Sequence, residues 1–368
     1  MNSPTKIGII GCGTISKAYF NGSKLFNNIE IKACADLNEA AAKAKAEEFG
    51  VLALSIEALL ADPEIEIVVN LTIPQAHAPV NEQILKAGKH AHCEKPFATN
   101  REDGKRILAL AKEKGLMVGS APDTFLGAGF QTSRKVIDDG SIGKPIAGLA
   151  FMLSPGIESW HPSPAFYYLK GGGPLLDMGP YYLSALVHLL GPIKKVSAIC
   201  SRARDVRIAT SEPLMGQELK VEVNTHTSGT LEFENGAIIT MVMSFDVQKS
   251  DHRFIEIHGT EGSVSLPDPN TFAGEVRLCK AGQKEWENIP YTHGYAEPAR
   301  IMGVADMAAA LKSNRLNRTS GELAYHVLDV MLAFDESSES GKHIEIESTC
   351  TQPAAYPLGL EPGYLELQ

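Results

Sequence analysis

The sequence predicts two domains of different class: an α/β domain with a parallel sheet over residues 1–121, and an α+β domain with a large, mostly antiparallel sheet over residues 122–368. Three observations carry this. The first third alternates short, uninterrupted apolar runs with helical stretches, the pattern of strands buried on both faces. After Ala121 the runs lengthen and alternate apolar with polar residues, the pattern of a sheet with one wetted face. The 368 residues also exceed what one hydrophobic core usually serves.

In chain order, the first domain has strands at Lys6 to Ile10, Glu30 to Ala35, near Val51, Ile67 to Leu71, His90 to Cys93 and Leu116 to Gly119. Helices are predicted to begin near Ser16 and to run over Asn38 to Phe49 and Arg101 to Glu113. In the second domain the strands are Ala147 to Leu153, Val196 to Ser201, Val223 to Phe233, Ala237 to Phe245, Phe254 to His258 and Ser263 to Leu266, with Asn235-Gly236 as a hairpin turn. Helices follow at Leu175 to Leu190, Arg300 to Lys312 and Gly321 to Glu339.

Composition excludes several functions. A formal charge of -10 repels phosphate backbones and anionic membrane surfaces, so nucleic acid and membrane are not expected partners. No apolar run approaches the roughly 20 residues of a membrane span. The opening Met1 to Lys6 leads into the first strand without a signal-like apolar region, and a cytoplasmic protein is expected. The six cysteines are scattered and form no CxxC pair, which predicts free thiols and no zinc cluster. His90 and His92 share a strand face but have no third ligand, so no metal site is expected.

The first motif is Gly11-Cys12-Gly13-Thr14-Ile15-Ser16, between strand and helix. Gly11 permits the tight turn, Gly13 lets backbone approach a pyrophosphate, and the amides of Thr14 and Ile15 lead into a helix start that favours the anion. Ser16 replaces the third glycine of the usual pattern. Asp36 ends the second strand, where a carboxylate accepts hydrogen bonds from the adenosine ribose. Against the 2′-phosphate of NADP, about 4 Å away, it would be repelled by a few kcal/mol, and no arginine at position 37 or 38 relieves this. NAD is therefore the expected cofactor and NADP the less favoured one. Asn70-Leu71-Thr72-Ile73-Pro74 with His77 ends a strand at the sheet edge that faces a dinucleotide; Thr72 and Pro74 line it, and His77 caps or orients the following helix. Glu94-Lys95-Pro96 ends the next strand and puts an ammonium beside the nicotinamide.

Together with Ile137 to Pro145 and Gly171-Gly172-Gly173-Pro174-Leu175-Leu176-Asp177-Met178-Gly179-Pro180-Tyr181, these motifs make the chain resemble the glucose-fructose oxidoreductase, inositol dehydrogenase and MocA-like (Gfo/Idh/MocA) family over nearly its whole length. The resemblance implies a Rossmann domain followed by a substrate and oligomerisation domain, a sugar, glycoside or cyclitol bound between them, and a homodimer or homotetramer. It also implies that Lys95 points into the cleft with Glu94 near the nicotinamide ribose. Where the family commonly has D-x-G-x-H, this chain has Asp177 and, in place of histidine, Tyr181. Four residues apart, the two share a helix face. A free phenol is about one part in a thousand ionised at pH 7, so a tyrosine base needs help; the Lys95 ammonium is expected to lower its pKa by about 1 to 3 units. Tyr181 then takes the hydroxyl proton, Lys95 holds the alkoxide and Asp177 orients the hydroxyl.

For substrate recognition the loop Ser159-Trp160-His161-Pro162, followed by Phe166-Tyr167-Tyr168, offers Trp160 for stacking and His161 for hydrogen bonding. Asp123 is expected to face the ligand and to disfavour acidic sugars. His188 and His326 are expected to pack as core. Besides net dehydrogenation, two other classes fit these residues: a glycosidase or lyase working through a transient keto-sugar, and a non-catalytic nucleotide- or sugar-sensing protein.

Overall fold

The computed structural model describes residues 3–367; Met1 and Asn2, part of the opening stretch read above for a signal, and Gln368 lie outside the described residues. The N-terminal sheet is built from β1 (Thr5–Ile10), α1 (Ser16–Ser23), β2 (Ile29–Ala35), α2 (Glu39–Phe49), β3 (Leu52–Ala53), α3 (Ile56–Ala61), β4 (Ile65–Asn70), α4 (Pro74–Lys86), β5 (His90–Cys93), α5 (Arg101–Lys114) and β6 (Val118–Ser120). Its six strands run in the order β3-β2-β1-β4-β5-β6 and are all parallel. Strand order reverses beside β1, between β1 and β4. In such a sheet ligands gather beyond the strand ends at that point, because flanking loops diverge to opposite faces and leave a crevice.

The C-terminal part continues with α6 (Ala128–Asp138), β7 (Pro145–Leu153), α7 (Pro174–Leu190), β8 (Ile193–Ser201), β9 (Val206–Ile208), β10 (Glu218–Lys220), β11 (His226–Phe233), β12 (Ile238–Ser244), β13 (Ile255–Gly259), β14 (Gly262–Leu266), β15 (Arg277–Lys280), β16 (Glu287–Asn288), α8 (Met302–Ser313), α9 (Gly321–Ser340) and β17 (Ile344–Glu345). Nine of these strands form one sheet, β16-β15-β14-β13-β7-β12-β11-β8-β17. Every pairing in it is antiparallel except β12 with β7. Helices α7 and α9 pack against each other under this sheet, and α7 is buried almost throughout.

Two elements, α4 and α8, depart from the sequence expectation. Helix α4 begins at Pro74, so His77 lies inside it, not ahead of it as a cap; proline at the first helical position removes only an N–H that has no partner in the helix. Helix α8 begins at Met302 rather than at Arg300, because Ile301 adopts a left-handed φ of 90°. And α8 packs on α1, β4 and β6, so the chain returns to the nucleotide-binding sheet after building the second one. A bridge between Gly119 and Ser320 seals that return. The six cysteines are all free thiols. No helix among the described residues is long and apolar enough to cross a membrane.

Candidate active site

The glycine turn is positioned by backbone and by one carboxylate. Gly11 has φ 105°, and a Cβ there would lie 2.6 Å from the backbone of Leu71. No other residue fits both conditions. By contrast, a Cβ on Gly13 would meet nothing within 4 Å, and Gly13, Thr14 and Ile15 are exposed at the sheet end. That open concavity at the start of α1 fits a pyrophosphate. Ser16, the substitute for the third glycine, is buried and closes the turn by donating from Oγ to the Gly13 carbonyl at 2.7 Å. The Asp36 carboxylate accepts from the Cys12 amide at 2.7 Å and the Asn38 amide at 2.8 Å. Two fixed amides therefore hold the acid where a ribose diol would reach it, and these residues fit NAD.

One strand further, Asn70 ties the next three motifs together. Its Oδ1 accepts from the Thr72 hydroxyl at 2.6 Å, and its Nδ2 donates to the His77 carbonyl at 3.0 Å. The His77 ring nitrogens lie 2.7 Å from the Pro96 carbonyl oxygen and 3.1 Å from that of Thr72, and the neutral ring donates its single N–H to one of them. Burial holds its pKa below the ordinary histidine value. Its role is thus to lock the Thr72-Pro74 segment to the Glu94-Lys95-Pro96 tripeptide, whose Lys95–Pro96 bond is cis. Glu94 is buried and accepts from the Tyr19 hydroxyl at 2.8 Å and from the Lys95 amide at 3.0 Å.

Lys95 leaves this sheet and meets the second domain. Its Nζ donates to the Asp177 carboxylate and to the Asp177 carbonyl, both at 2.7 Å, and stands 5.3 Å from the centre of the Tyr181 ring. Burial works against its charge, but Asp177, Tyr181 and Glu94 outweigh that and hold the ammonium charged. Asp177 and Tyr181 do share one face of α7. The carboxylate sits in the first turn, where the helix dipole favours an anion.

The expectation for Tyr181 needs correction. The phenol is 6% exposed, and desolvation raises its pKa above that of a free tyrosine; Lys95 and Arg300 pull it down without cancelling the burial. Burial therefore outweighs the two cations, of which Lys95 acts the more strongly.

Asp123 is also corrected. It is buried, 1% exposed, with Oδ2 accepting from the Gly303 amide at 3.1 Å and Oδ1 without a partner. It belongs to a polar cluster behind the site and does not face the cleft, because the chain end of β6 turns inward against the start of α8.

Trp160 and His161 stand on the rim. Trp160 is 63% exposed, and the His161 ring contacts Trp160, Phe166 and Tyr167 edge-on at 5.2 to 5.6 Å between centroids. Of this group, Tyr167 comes nearest the chemistry. Burial and the Asp177 carboxylate push its pKa up to about 12. It is held there because a Cβ on Gly172 would lie 2.5 Å from the Tyr167 carbonyl, and the Gly173 amide donates to that same oxygen at 2.6 Å. The triple glycine folds the loop back over itself and delivers Tyr167 beside α7. The loop base is pinned by buried Arg207, which reaches Pro155 and Phe245 carbonyls and the carboxylates of Glu158 and Asp246.

Tyr19, Tyr167 and Arg300 were missed as site residues by reading motifs. Tyr19 carries a signal, a polar-tipped ring one turn into α1; Arg300 carries none, since it reaches the site from far along the chain. His188 and His326 pack as expected, each bonded in the core. Among the described residues no group of three histidine, cysteine or acidic side chains converges on a point that could hold a metal.

Comparisons with known proteins agree with this fold. A family model described as an oxidoreductase family with an NAD-binding Rossmann fold matches residues 5–121, and one described as the GFO/IDH/MocA C-terminal domain matches residues 130–265. The 1,5-anhydro-D-fructose reductase of Ensifer adhaerens is 29% identical over 351 residues, covering 93% of this chain and 98% of that protein. The D-glucoside 3-dehydrogenase of Escherichia coli is 24% identical and covers 94% of this chain and 98% of its own. In fold, a levoglucosan dehydrogenase in complex with NADH and L-sorbose superimposes with a TM-score of 0.80 at 21% identity, over 94% of this chain and all (100%) of that one. The chain belongs to the GFO/IDH/MocA family of NAD-binding oxidoreductases.

Proposed function

We propose that this protein is an NAD-dependent sugar oxidoreductase acting on a secondary ring hydroxyl of a sugar, glycoside or cyclitol, with Tyr181 as the proton-transfer group, Lys95 as the cation that holds the reacting oxygen, and Asp177 as its orienting partner. One observation carries the reading: a lysine from the nucleotide-binding sheet and an Asp-Tyr pair from the second domain meet within 2.7 Å and 5.3 Å of one ammonium. NAD, when bound, accepts the hydride from the carbon that bears the hydroxyl. Gly13 and the α1 start would hold its pyrophosphate, Asp36 its adenosine ribose, and Thr72, Pro74 and Glu94 its nicotinamide end.

The protein's own part is positioning and charge. Lys95 presents a preorganised ammonium to the oxygen as negative charge develops there, a contribution typically worth about 10²- to 10³-fold in rate. Asp177 fixes that ammonium and so orients the reacting hydroxyl through Lys95. Tyr181 takes the hydroxyl proton in oxidation and returns it in reduction. Since burial keeps the phenol protonated, the resting protein is set for reduction, and oxidation calls for a higher pH. Trp160, His161 and Tyr167 line the rim where a sugar ring would stack.

Similarity to a reductase of an anhydro sugar and to a glucoside dehydrogenase supports the substrate class. We place the protein in the cytoplasm, in keeping with its free thiols, and as a homodimer or homotetramer. The supporting surface for assembly is the outer sheet face, where the cross-strand row Ile199, Ser228, Val242, Phe151 leaves Ile199 76% exposed; light scattering tests it. The functional test is a panel of aldoses, anhydro sugars, methyl glycosides and inositols incubated with NAD, read as nicotinamide reduction. Net reduction by at least one member, lost in Tyr181→Phe, is the expected result. Bond cleavage without net reduction would move the assignment to a lyase, and no response to any member would end it.

A further inference from the structure

A half-buried arginine reaches Tyr181 from far along the chain. Arg300 stands just before α8, where Ile301 turns the backbone through its left-handed φ. Its carbonyl oxygen passes so close to α1 that a Cβ on Gly22 would lie 1.9 Å away, so the nucleotide-binding domain keeps a glycine where this segment enters. The side chain then crosses to α7, with the guanidinium carbon 5.4 Å from the Tyr181 ring centre. Nη2 donates to Asn270 Oδ1 at 3.1 Å, while Nη1 is buried without a partner.

The charged and titratable groups around the phenol come from every neighbouring element. Lys95 and Glu94 follow β5, Asp177 lies one turn back on α7, Tyr167 is on the rim loop, and Tyr19 on α1 and Asp123 after β6 face Arg300. Lys95 is bound at contact distance to Asp177. Arg300 makes no such ion pair among the described residues, and its positive field at the phenol adds to the larger one of Lys95, with Glu94 working against both. Its own charge is secure, because the neighbouring Glu94 and Asp123 carboxyl groups offset the cost of its burial.

We propose that Arg300 is a positioning residue of the catalytic centre: with Lys95 it clamps Tyr181 between two cations, fixes the phenol toward the reacting hydroxyl, and stabilises the phenolate that takes the proton. This rests on the reading of Tyr181 as the proton-transfer group. No bond to Arg300 forms or breaks; the proton passes from the substrate hydroxyl to the Tyr181 oxygen.

The test is kcat against pH in the oxidising direction, at saturating NAD and with whichever panel sugar reduces NAD fastest, for wild type, Arg300→Lys, Arg300→Gln, Arg300→Met and Tyr181→Phe. NAD quenching of tryptophan fluorescence confirms that each variant is folded. The lysine variant should keep the rising limb in place. The glutamine and methionine variants should move it to higher pH by about one unit or more, a loss of about tenfold or more on the acid side of the limb. A limb that stays at its wild-type position in both neutral variants, with only a lower plateau, would overturn the inference and leave Arg300 a structural counter-ion. Full rate in Tyr181→Phe would overturn the base assignment, and failure of every sugar would overturn the function; either result removes the inference with it.

Discussion

The candidate cofactor turn and the proposed catalytic centre are built in opposite ways. Residues 11–16 with Asp36 form a local device: the turn closes on itself, its acid lies 24 residues on, and backbone amides do the holding. The catalytic centre is assembled from distance. Lys95 meets Asp177 across 82 residues, and Arg300 arrives from the segment just before α8. Local devices depend on backbone geometry and tolerate little change at glycine. Distant ones depend on charge balance in a desolvated space, where one missing partner leaves the others uncompensated.

That contrast can be broken at its most exposed point first. Lys95→Met should lower kcat by about 10²- to 10³-fold or more, since it removes the preorganised cation and leaves Asp177 unpaired; NAD affinity, measured by fluorescence titration, should change by no more than a few fold. A large loss of NAD affinity instead would mean that the two devices are one. Next in size is the pH response. Because burial holds the Tyr181 phenol above its ordinary value, the base form appears only on the alkaline side. Oxidation should therefore rise with pH above neutrality, while reduction, which needs the protonated phenol, should fall over the same range. Parallel profiles in the two directions would exclude Tyr181 as the shared group.

Gly11→Ala probes the local device. A methyl group 2.6 Å from the Leu71 backbone at a φ of 105° should cost about 1 to 3 kcal/mol and weaken NAD binding, seen as a lower Tm and a raised Kd. The smallest effect is expected at Asp36→Ser. It removes one acceptor for a ribose hydroxyl, so NAD affinity should fall about tenfold while NADP is discriminated against less, the two measured side by side. Equal loss for both cofactors would show that Asp36 serves the turn alone.

Much of the fold was legible because its signals are short-range. The apolar runs of β1, β2, β4 and β5 and the buried stripes of α7 and α9 follow directly from side-chain periodicity, and their predicted bounds differ from the observed ones by a few residues. The short strands β9, β10, β16 and β17 were not legible; each is two or three residues long, and pairing partners rather than composition define them. His77 was assigned the wrong place because the start of α4 depends on Pro74, which reads equally as the end of a loop. Asp123 was assigned to the cleft by resemblance to the family, in which the segment before Phe125 often carries an arginine or asparagine, whereas here the Gly303 amide draws it inward.

Residue types and spacing along the chain were enough to locate the glycine turn, the acid that ends the second strand, the Lys95 tripeptide and the one-face pairing of Asp177 with Tyr181, since each is a property of neighbours within a turn, strand end or helix. The protonation state of Tyr181, the burial of Asp123, the seat of Tyr167 and the arrival of Arg300 came from folding in three dimensions. Desolvation and Coulomb fields depend on what is packed within a few ångströms, whatever its distance along the chain.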